Sequence, residues 1–236
     1  MKKINKYKSA VAMGLVLTLL PSSVWGANAK TEAKIETPQL PFNVDGTNGI
    51  RVYNKDLTTG DMTKTLGLRV GELTQGMNQI NLAATLNGQV AAYGIGLRPG
   101  AVIKFEVLAG NPSELGITAS TNAQSQGIAA IELIEQGERT ATFTPGTYVA
   151  QSTTGGFAGA GDLTVNVVVS AHTIEHITVT EHHDTPNWFN RVDPWLINSV
   201  LLHQNTDVDV ITSATYSSHG LLSAIDQALH LASNGR

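Results

Sequence analysis

Between Asp209 and Ser218 the hydroxyls of Thr212, Ser213, Thr215 and Ser217 crowd a short run directly ahead of an amphipathic stretch. From Leu221 the apolar residues recur as Leu221, Leu222, Ile225, Ala228, Leu229 and Ala232, the spacing of a helix with one buried face. Asn234-Gly235 then supplies a C-terminal stop. The hydroxyls therefore lie in a loop that opens a helix. There the backbone N–H groups lack intrahelical partners and the helix dipole is positive, a setting that holds phosphate well. Ser and Thr are also the favoured helix caps, and by spacing alone capping is the commoner use of such a cluster.

The order Asp209-Val210-Ile211-Thr212-Ser213-Ala214-Thr215 resembles the covalent flavinylation motif D-x-x-(S/T)-G-A-T of FMN-binding domains. That family includes the C subunit of the sodium-pumping NADH:quinone reductase, the G subunit of the Rnf complex, and the flavin domains of fumarate- and urocanate-reductase-like proteins. Asp209, Thr212, Ala214 and Thr215 match, while Ser213 stands where the family has Gly. The resemblance implies FMN as cofactor, esterified through its phosphate to Thr215 by a separate flavin transferase. Tyr216, Ser217 and Ser218 follow as the helix start beside the attachment point. Gly tolerates backbone angles that Ser resists, so Ser213 bears directly on loop geometry. A hydroxyl is a weak nucleophile at neutral pH, and this chain offers no obvious base or metal to activate it, so the catalyst must come from outside.

Upstream, Thr180-Glu181-His182-His183-Asp184-Thr185-Pro186 resembles the family's E-H-x-E-T-P segment, with Asp184 in place of Glu. The resemblance implies that Asp184 and Thr185 face the flavin. His172, His176, His182 and His183 fall close together, but their spacing is too long for a compact tetrahedral metal site, and solvated face residues are the simpler reading. No metal is expected; a His relaying protons to a flavin is a further, open role. Trp188, Phe189 and Trp195 offer aromatic faces that either stack on a flavin ring or pack in the core; Trp195 is expected in the core.

These residues need a scaffold. Pro145-Gly146 opens the second half, and Gly146-Thr147-Tyr148 with Gly155, Gly156, Gly159 and Gly161 is similar to the family's opening strand and turn. Leu163, Val165, Val167 and Val169 alternate on one strand, Ser170-Ala171-His172 turns, and Ile174, Ile177 and Val179 carry the return strand. Asp193-Pro194 reads as an N-cap with Pro at the first helical position. The second half is thus β-β-β-α-loop-α over Gly146 to Ala232, which the resemblance covers in order.

The first half is expected to hold strands at Ile50–Tyr53, Leu66–Leu73, Asn78–Leu86, Gln89–Leu97, Val102–Leu108, Ala129–Glu135 and Thr140–Thr144. Asn87-Gly88 is a hairpin signal, and Arg98-Pro99-Gly100 and Gly110-Asn111-Pro112 are turns. Seven short strands suggest a β-sandwich, and the stretch Thr121 to Ile131 is similar to a strand approach in bacterial Ig-like domains. The fold class expected is a mainly β N-terminal Ig-like sandwich plus an α+β C-terminal FMN-binding domain. Its divisions are a signal peptide at 1–29, a linker at 30–45, a sandwich at 46–144 and the flavin domain at 145–236.

Residues 1–29 combine a basic start (Lys2, Lys3, Lys6, Lys8), an apolar run from Ala10 to Leu20 and a small-x-small site at Ala27-Asn28-Ala29, with a cut after Gly26 as the alternative. The run is shorter than the roughly 20 residues that span a bilayer. The chain contains no Cys, which excludes disulfides, Cys-ligated metals and an N-terminal lipid-modified Cys. Without residues 1–29 and their four lysines, 11 basic residues stand against 19 acidic ones, a formal charge of about −8. Such a protein is poorly suited to nucleic acid. No G-x-G-x-x-G fingerprint is present. The expectation is an exported flavoprotein, periplasmic or at the cell surface. It would carry electrons rather than act as a complete enzyme, with a redox partner at the membrane or a separate reductase chain. The other readings are a structural or adhesive surface protein with an unoccupied flavin domain, and a subunit of a reductase whose substrate-reducing chain is separate.

Overall fold

Asn87 and Gly88 both take positive φ, 50° and 80°, the backbone that a two-residue hairpin between twisted strands requires. The computed structural model describes residues 39–44, 53–57, 62–74, 76–110, 113–121, 127–137, 142–155 and 161–234. The signal peptide expected at 1–29 lies outside them. In chain order the strands are β1 (Gln39–Val44), β2 (Tyr53–Leu57), β3 (Lys64–Leu73), β4 (Ile80–Leu86), β5 (Gln89–Leu97), β6 (Val102–Val107), β7 (Ser113–Ser120), β8 (Gly127–Glu135), β9 (Gly146–Gly155), β10 (Gly161–Val169) and β11 (Ile174–His182). The helices are α1 (Pro186–Phe189), α2 (Trp195–His203) and α3 (Thr215–Asn234). Among the described residues no helix is long and apolar enough to cross a membrane.

The first eight strands form two antiparallel four-stranded sheets, ordered β1-β8-β3-β6 and β2-β7-β4-β5. Alternate residues of both, among them Leu66, Leu68, Val70, Leu82, Phe105 and Ile117, are buried in one hydrophobic cluster, so the sheets stack as a sandwich. Successive strands mostly switch sheets, and first and last strands pair (Gln39 with Glu132 through Val44 with Gly127). That is the order of an eight-stranded jelly roll. It corrects the Ig-like expectation, whose sheets would hold four and three strands in another order. The reason is two strands that sequence pattern did not show. β1 falls inside the stretch expected to be a linker, and β7 is a Ser/Gly/Ala-containing run after a Pro turn.

Two other expected strands shift. Of Ile50–Tyr53 only Tyr53 is described, as the first residue of β2. Of Thr140–Thr144 the described residues 142–144 are not strand. Instead Phe143 is buried and its N–H donates to the Ala171 carbonyl at 2.9 Å, while the Thr144 N–H donates to Ala232 O at 2.9 Å. That stretch closes onto the second half of the chain. Asn122 to Gln126, in the stretch similar to an Ig-like turn, lies outside the described residues.

The second half forms a three-stranded antiparallel sheet, β11-β10-β9. Leu163, Val165, Val167 and Val169 are all buried, as their alternation requires. Ile174 and Ile177 are also both buried, although three residues apart they would face opposite sides of a regular strand. A register shift between Val168 and Val169 inserts the extra residue that turns both inward. α3 packs along β9 and β10 with Leu221, Ile225, Ala228 and Ala232 inward. It begins at Thr215 itself, ahead of the first apolar residue.

α2 joins the halves. Its cap is Pro194, after a cis Asp193-Pro194 bond, so Asp193 is not the N-cap that its position suggested. On β6, Val102 should alternate outward, yet it is buried with Ile134 under Leu202 of α2. Gly67 of β3 permits this approach, because a Cβ there would stand 2.1 Å from a Leu202 methyl. The Gly137 N–H donates to Leu202 O at 2.7 Å and the Asn198 amide to Val102 O at 3.0 Å. Toward the other sheet, Gln204 ends α2 with φ 57°, its buried amide accepting from Ile174 N–H at 2.7 Å and donating to Ile174 O at 3.1 Å. Residues Glu36–Arg236 form one compact unit. Leu202→Ala is therefore expected to cost about 2–5 kcal/mol in denaturant unfolding, with the fluorescence and far-UV transitions still coincident.

Candidate functional site

The loop from Asp209 to Ala214 is a tight turn built by backbone bonds. The Ala214 N–H donates to Ile211 O at 3.0 Å, closing a four-residue turn whose third residue, Ser213, has φ 66°. Turns of this kind favour Gly at that position, because an L side chain in the left-handed region costs about 1–2 kcal/mol. Ser213, which stands where the motif has Gly, adopts this left-handed backbone. Ser218 locks the turn from below. It is fully buried, its hydroxyl donates to Ala214 O at 2.9 Å, and it accepts from the Ile211 N–H at 3.1 Å. Ile211 and Ala214 are buried anchors.

Of the ten sequence-predicted site residues, Thr212, Ser213, Thr215 and Tyr216 are exposed at the start of α3. Ser217 is buried, and Ser218 is committed to the loop itself, so its hydroxyl is structural rather than turned to a ligand. Thr215 is the first residue of a 20-residue helix, where unpaired N–H groups and the dipole favour an anion. Ser213→Gly is expected to raise stability by about 0.5 kcal/mol, the relief of left-handed strain less the greater chain entropy of Gly, as read by thermal unfolding.

Asp184 and Thr185 reach the same end of the three-stranded sheet. Gly155 at the end of β9 pairs with Gly161 at the start of β10, and the His183 N–H donates to Asp162 O at 2.9 Å. α3 runs back along β9: a Cβ on Gly220 would lie 2.5 Å from Gly155 Cα, and Ala232 O meets Thr144 N–H at the far end. Thr215 precedes Gly220 by five residues, about 7.5 Å along the helix. Asp184 is buried; its Oδ1 accepts from the Thr185 N–H at 2.7 Å. Its Oδ2, like His182 Nδ1, is buried without a partner among the described residues. An unpaired buried carboxylate oxygen is costly. It is an acceptor that a ring N–H of a ligand would satisfy.

The neighbouring side chains divide by burial. Phe189 is buried and stacks on His182, ring centroids 3.9 Å apart, while Trp188 is exposed under the Arg191 guanidinium at 4.1 Å. Trp195 is half-buried against the core. His172, His176 and His183 are exposed, and no group of three metal-ligating side chains occurs among the described residues. Burial raises the Asp193 pKa above its usual 3.8, with His182 opposing. A raised folded-state pKa means that stability from this group is full below pH 3.8 and is lost as pH rises through the folded value. Asp193→Asn is expected to match wild type below pH 3.8 and exceed it near neutrality, in urea unfolding across a pH series.

Asp209 does not join Asp184. Its carboxylate pairs with Arg69 of β3, which also donates to Glu132 of β8 at 2.9 Å. The Thr212 N–H donates to Pro99 O at 3.0 Å, and Gly100 touches Val210. These first-half residues were not among the sequence candidates. The Arg98-Pro99-Gly100 turn was visible, but its partner was not. Arg69 is an outward strand residue with no local mark, and only the folded register sets it beside the loop.

The positive end of α3, an exposed Thr and an unmet buried carboxylate lie at one end of the three-stranded antiparallel sheet. Residues 156–230 match the family model of the FMN-binding domain. This match, about a third of the chain, takes in every predicted site residue and makes FMN the cofactor indicated. Comparisons with curated proteins and with solved structures give no match.

Proposed function

We propose that the protein is an exported flavoprotein that carries FMN as a phosphoester on Thr215 and passes electrons outside the cytoplasm. The observation that carries this reading is the exposed Thr215 at the first residue of a long helix, inside a matched FMN-binding domain. Thr212, Ser213 and the α3 amides would hold the phosphate, and Asp184 with Thr185 would meet the ring. When bound, the flavin supplies one- and two-electron redox chemistry, while the protein sets its exposure and potential.

Attachment needs an activated phosphate, because FMN alone offers no good leaving group. A flavin dinucleotide supplies one. Thr215 Oγ forms a bond to the flavin-side phosphorus as the bridging P–O bond breaks, a nucleoside monophosphate departs, and the Thr215 proton passes to a base of the transferase. No oxidation state changes. Export rests on the pattern of residues 1–29, and a tether suits a compartment where a lost cofactor is hard to replace. Its redox partner would be a protein at the membrane or a separate reductase chain.

A second reading has its own observation. β5 is the edge of its sheet and exposes Val90, Tyr93 and Ile95, which favours a docking module for a partner chain. Flavin content separates it from the first. Mature protein co-expressed with a flavin transferase is expected to gain the mass of one FMN less water, and Thr215→Ala to gain none. Unmodified wild type beside a control acceptor that is modified would remove the carrier reading.

A further inference from the structure

We infer that Thr215 is positioned for flavinylation from outside the FMN-binding domain, by Arg69 and the Arg98–Ala101 turn of the jelly roll. The inference rests on Thr215 being the attachment residue.

Three contacts hold the loop against the jelly roll, and all return to β3. Arg69 lies in β3 opposite Glu132 of β8, and its second guanidinium nitrogen meets the Asp209 carboxylate. The next residue, Val70, accepts at its carbonyl from the Gly100 N–H at 2.8 Å and donates to Ala101 O at 2.9 Å. The turn so fixed is closed by Ala101 N–H to Arg98 O at 3.0 Å, with Gly100 at φ 94°. From its far side Pro99 O accepts the Thr212 N–H at 3.0 Å. Gly100 lies so close to the loop that a Cβ there would stand 2.6 Å from Val210 O.

Those contacts bear on attachment because of where the loop is otherwise free. Thr212, Ser213 and Thr215 face solvent, as a residue presented to another enzyme must. Ser218 fixes only the inner side of the turn, through Ile211 and Ala214. On the outer side, Asp209, Val210 and Thr212 meet the jelly roll, through Arg69, Gly100 and Pro99. Arg69, Pro99 and Gly100 all lie outside the matched residues 156–230, so this outer support comes from beyond the matched domain, whereas Ser218 belongs to it. Arg69 meets the carboxylates of Glu132 and Asp209, so it is the positioning cation, and the Arg98–Ala101 turn is the backbone rest.

A clamp of this kind raises the fraction of molecules whose loop fits the transferase. Loss of it raises the apparent KM for the acceptor protein and leaves kcat unchanged, because the chemistry at Thr215 Oγ is the same once the loop is seated.

The experiment uses the full chain as wild type, Arg69→Ala, Arg69→Lys and Gly100→Ala, each checked by thermal melting. Hydrogen exchange of the Thr212 amide is measured without flavin, and flavin incorporation is then followed with transferase and a flavin dinucleotide at varied acceptor concentration. Arg69→Ala and Gly100→Ala are expected to lose Thr212 protection and to raise acceptor KM roughly ten- to a hundredfold, with Arg69→Lys between them and wild type. Arg69→Ala modified with wild-type KM, or faster than wild type, overturns the proposal and leaves Thr215 attachment standing. Wild type left unmodified beside a modified control acceptor overturns the attachment reading and this proposal with it. In that case Thr212 exchange still shows whether the clamp exists.

Discussion

The Asp209–Ala214 loop keeps Thr212 and Ser213 exposed, so it is held from beneath and from the side rather than by its own burial. Here both supports converge on the short loop between Asp209 and Ala214. From beneath, Ser218 reaches back from the first turn of α3 and satisfies Ile211 N–H and Ala214 O at once. From the side, β3 supplies Arg69 and, through Val70, the turn that receives Thr212. A buried hydroxyl and a backbone carbonyl are better suited to this than long surface side chains, because little rotamer freedom is lost in forming the contact.

The same economy of close approach recurs where the two halves meet. Gly67 lets Leu202 settle onto β3, Gly100 lets Val210 settle onto the β5–β6 turn, and Gly220 lets α3 settle onto Gly155. Each lies where any Cβ would collide, so these contacts depend on the missing side chain more than on conformational freedom. Only at Gly100 does a positive φ add a second reason. Together they seat α2 and the Asp209–Ala214 loop against the jelly roll, and the helix that follows against its own sheet.

Much of the second half was legible in the sequence, because its signals are local. Leu163, Val165, Val167 and Val169 alternate, Leu221 to Ala232 repeat with helical period, and Asp209 to Thr215 carry a specific motif. The hairpin at Asn87-Gly88 was legible for the same reason. The jelly-roll order was not, because it depends on β1 reaching β8 across most of the half, and on β7, whose Ser, Gly and Thr residues give little hydrophobic contrast. Asp193-Pro194 misled because a local capping rule met a backbone in which Pro194 itself became the cap.

The site divides along the same line. Thr212, Ser213 and Thr215 could be read because motif and helix start coincide in one stretch. Asp184 could be read only as a likeness to a neighbouring segment; its burial and its unmet Oδ2 belong to the fold. Arg69 could not be read at all. An arginine on the outer face of an antiparallel strand is ordinarily a solvated residue or half of a weak surface pair. It acquires a role here because Glu132 lies opposite in register, and because a loop well over a hundred residues downstream returns a carboxylate to it. Local pattern finds the residues of the motif, since their neighbours in sequence are also their neighbours in space. The residues that hold them in place are drawn from wherever the topology passes, so they come into view only with the strand order.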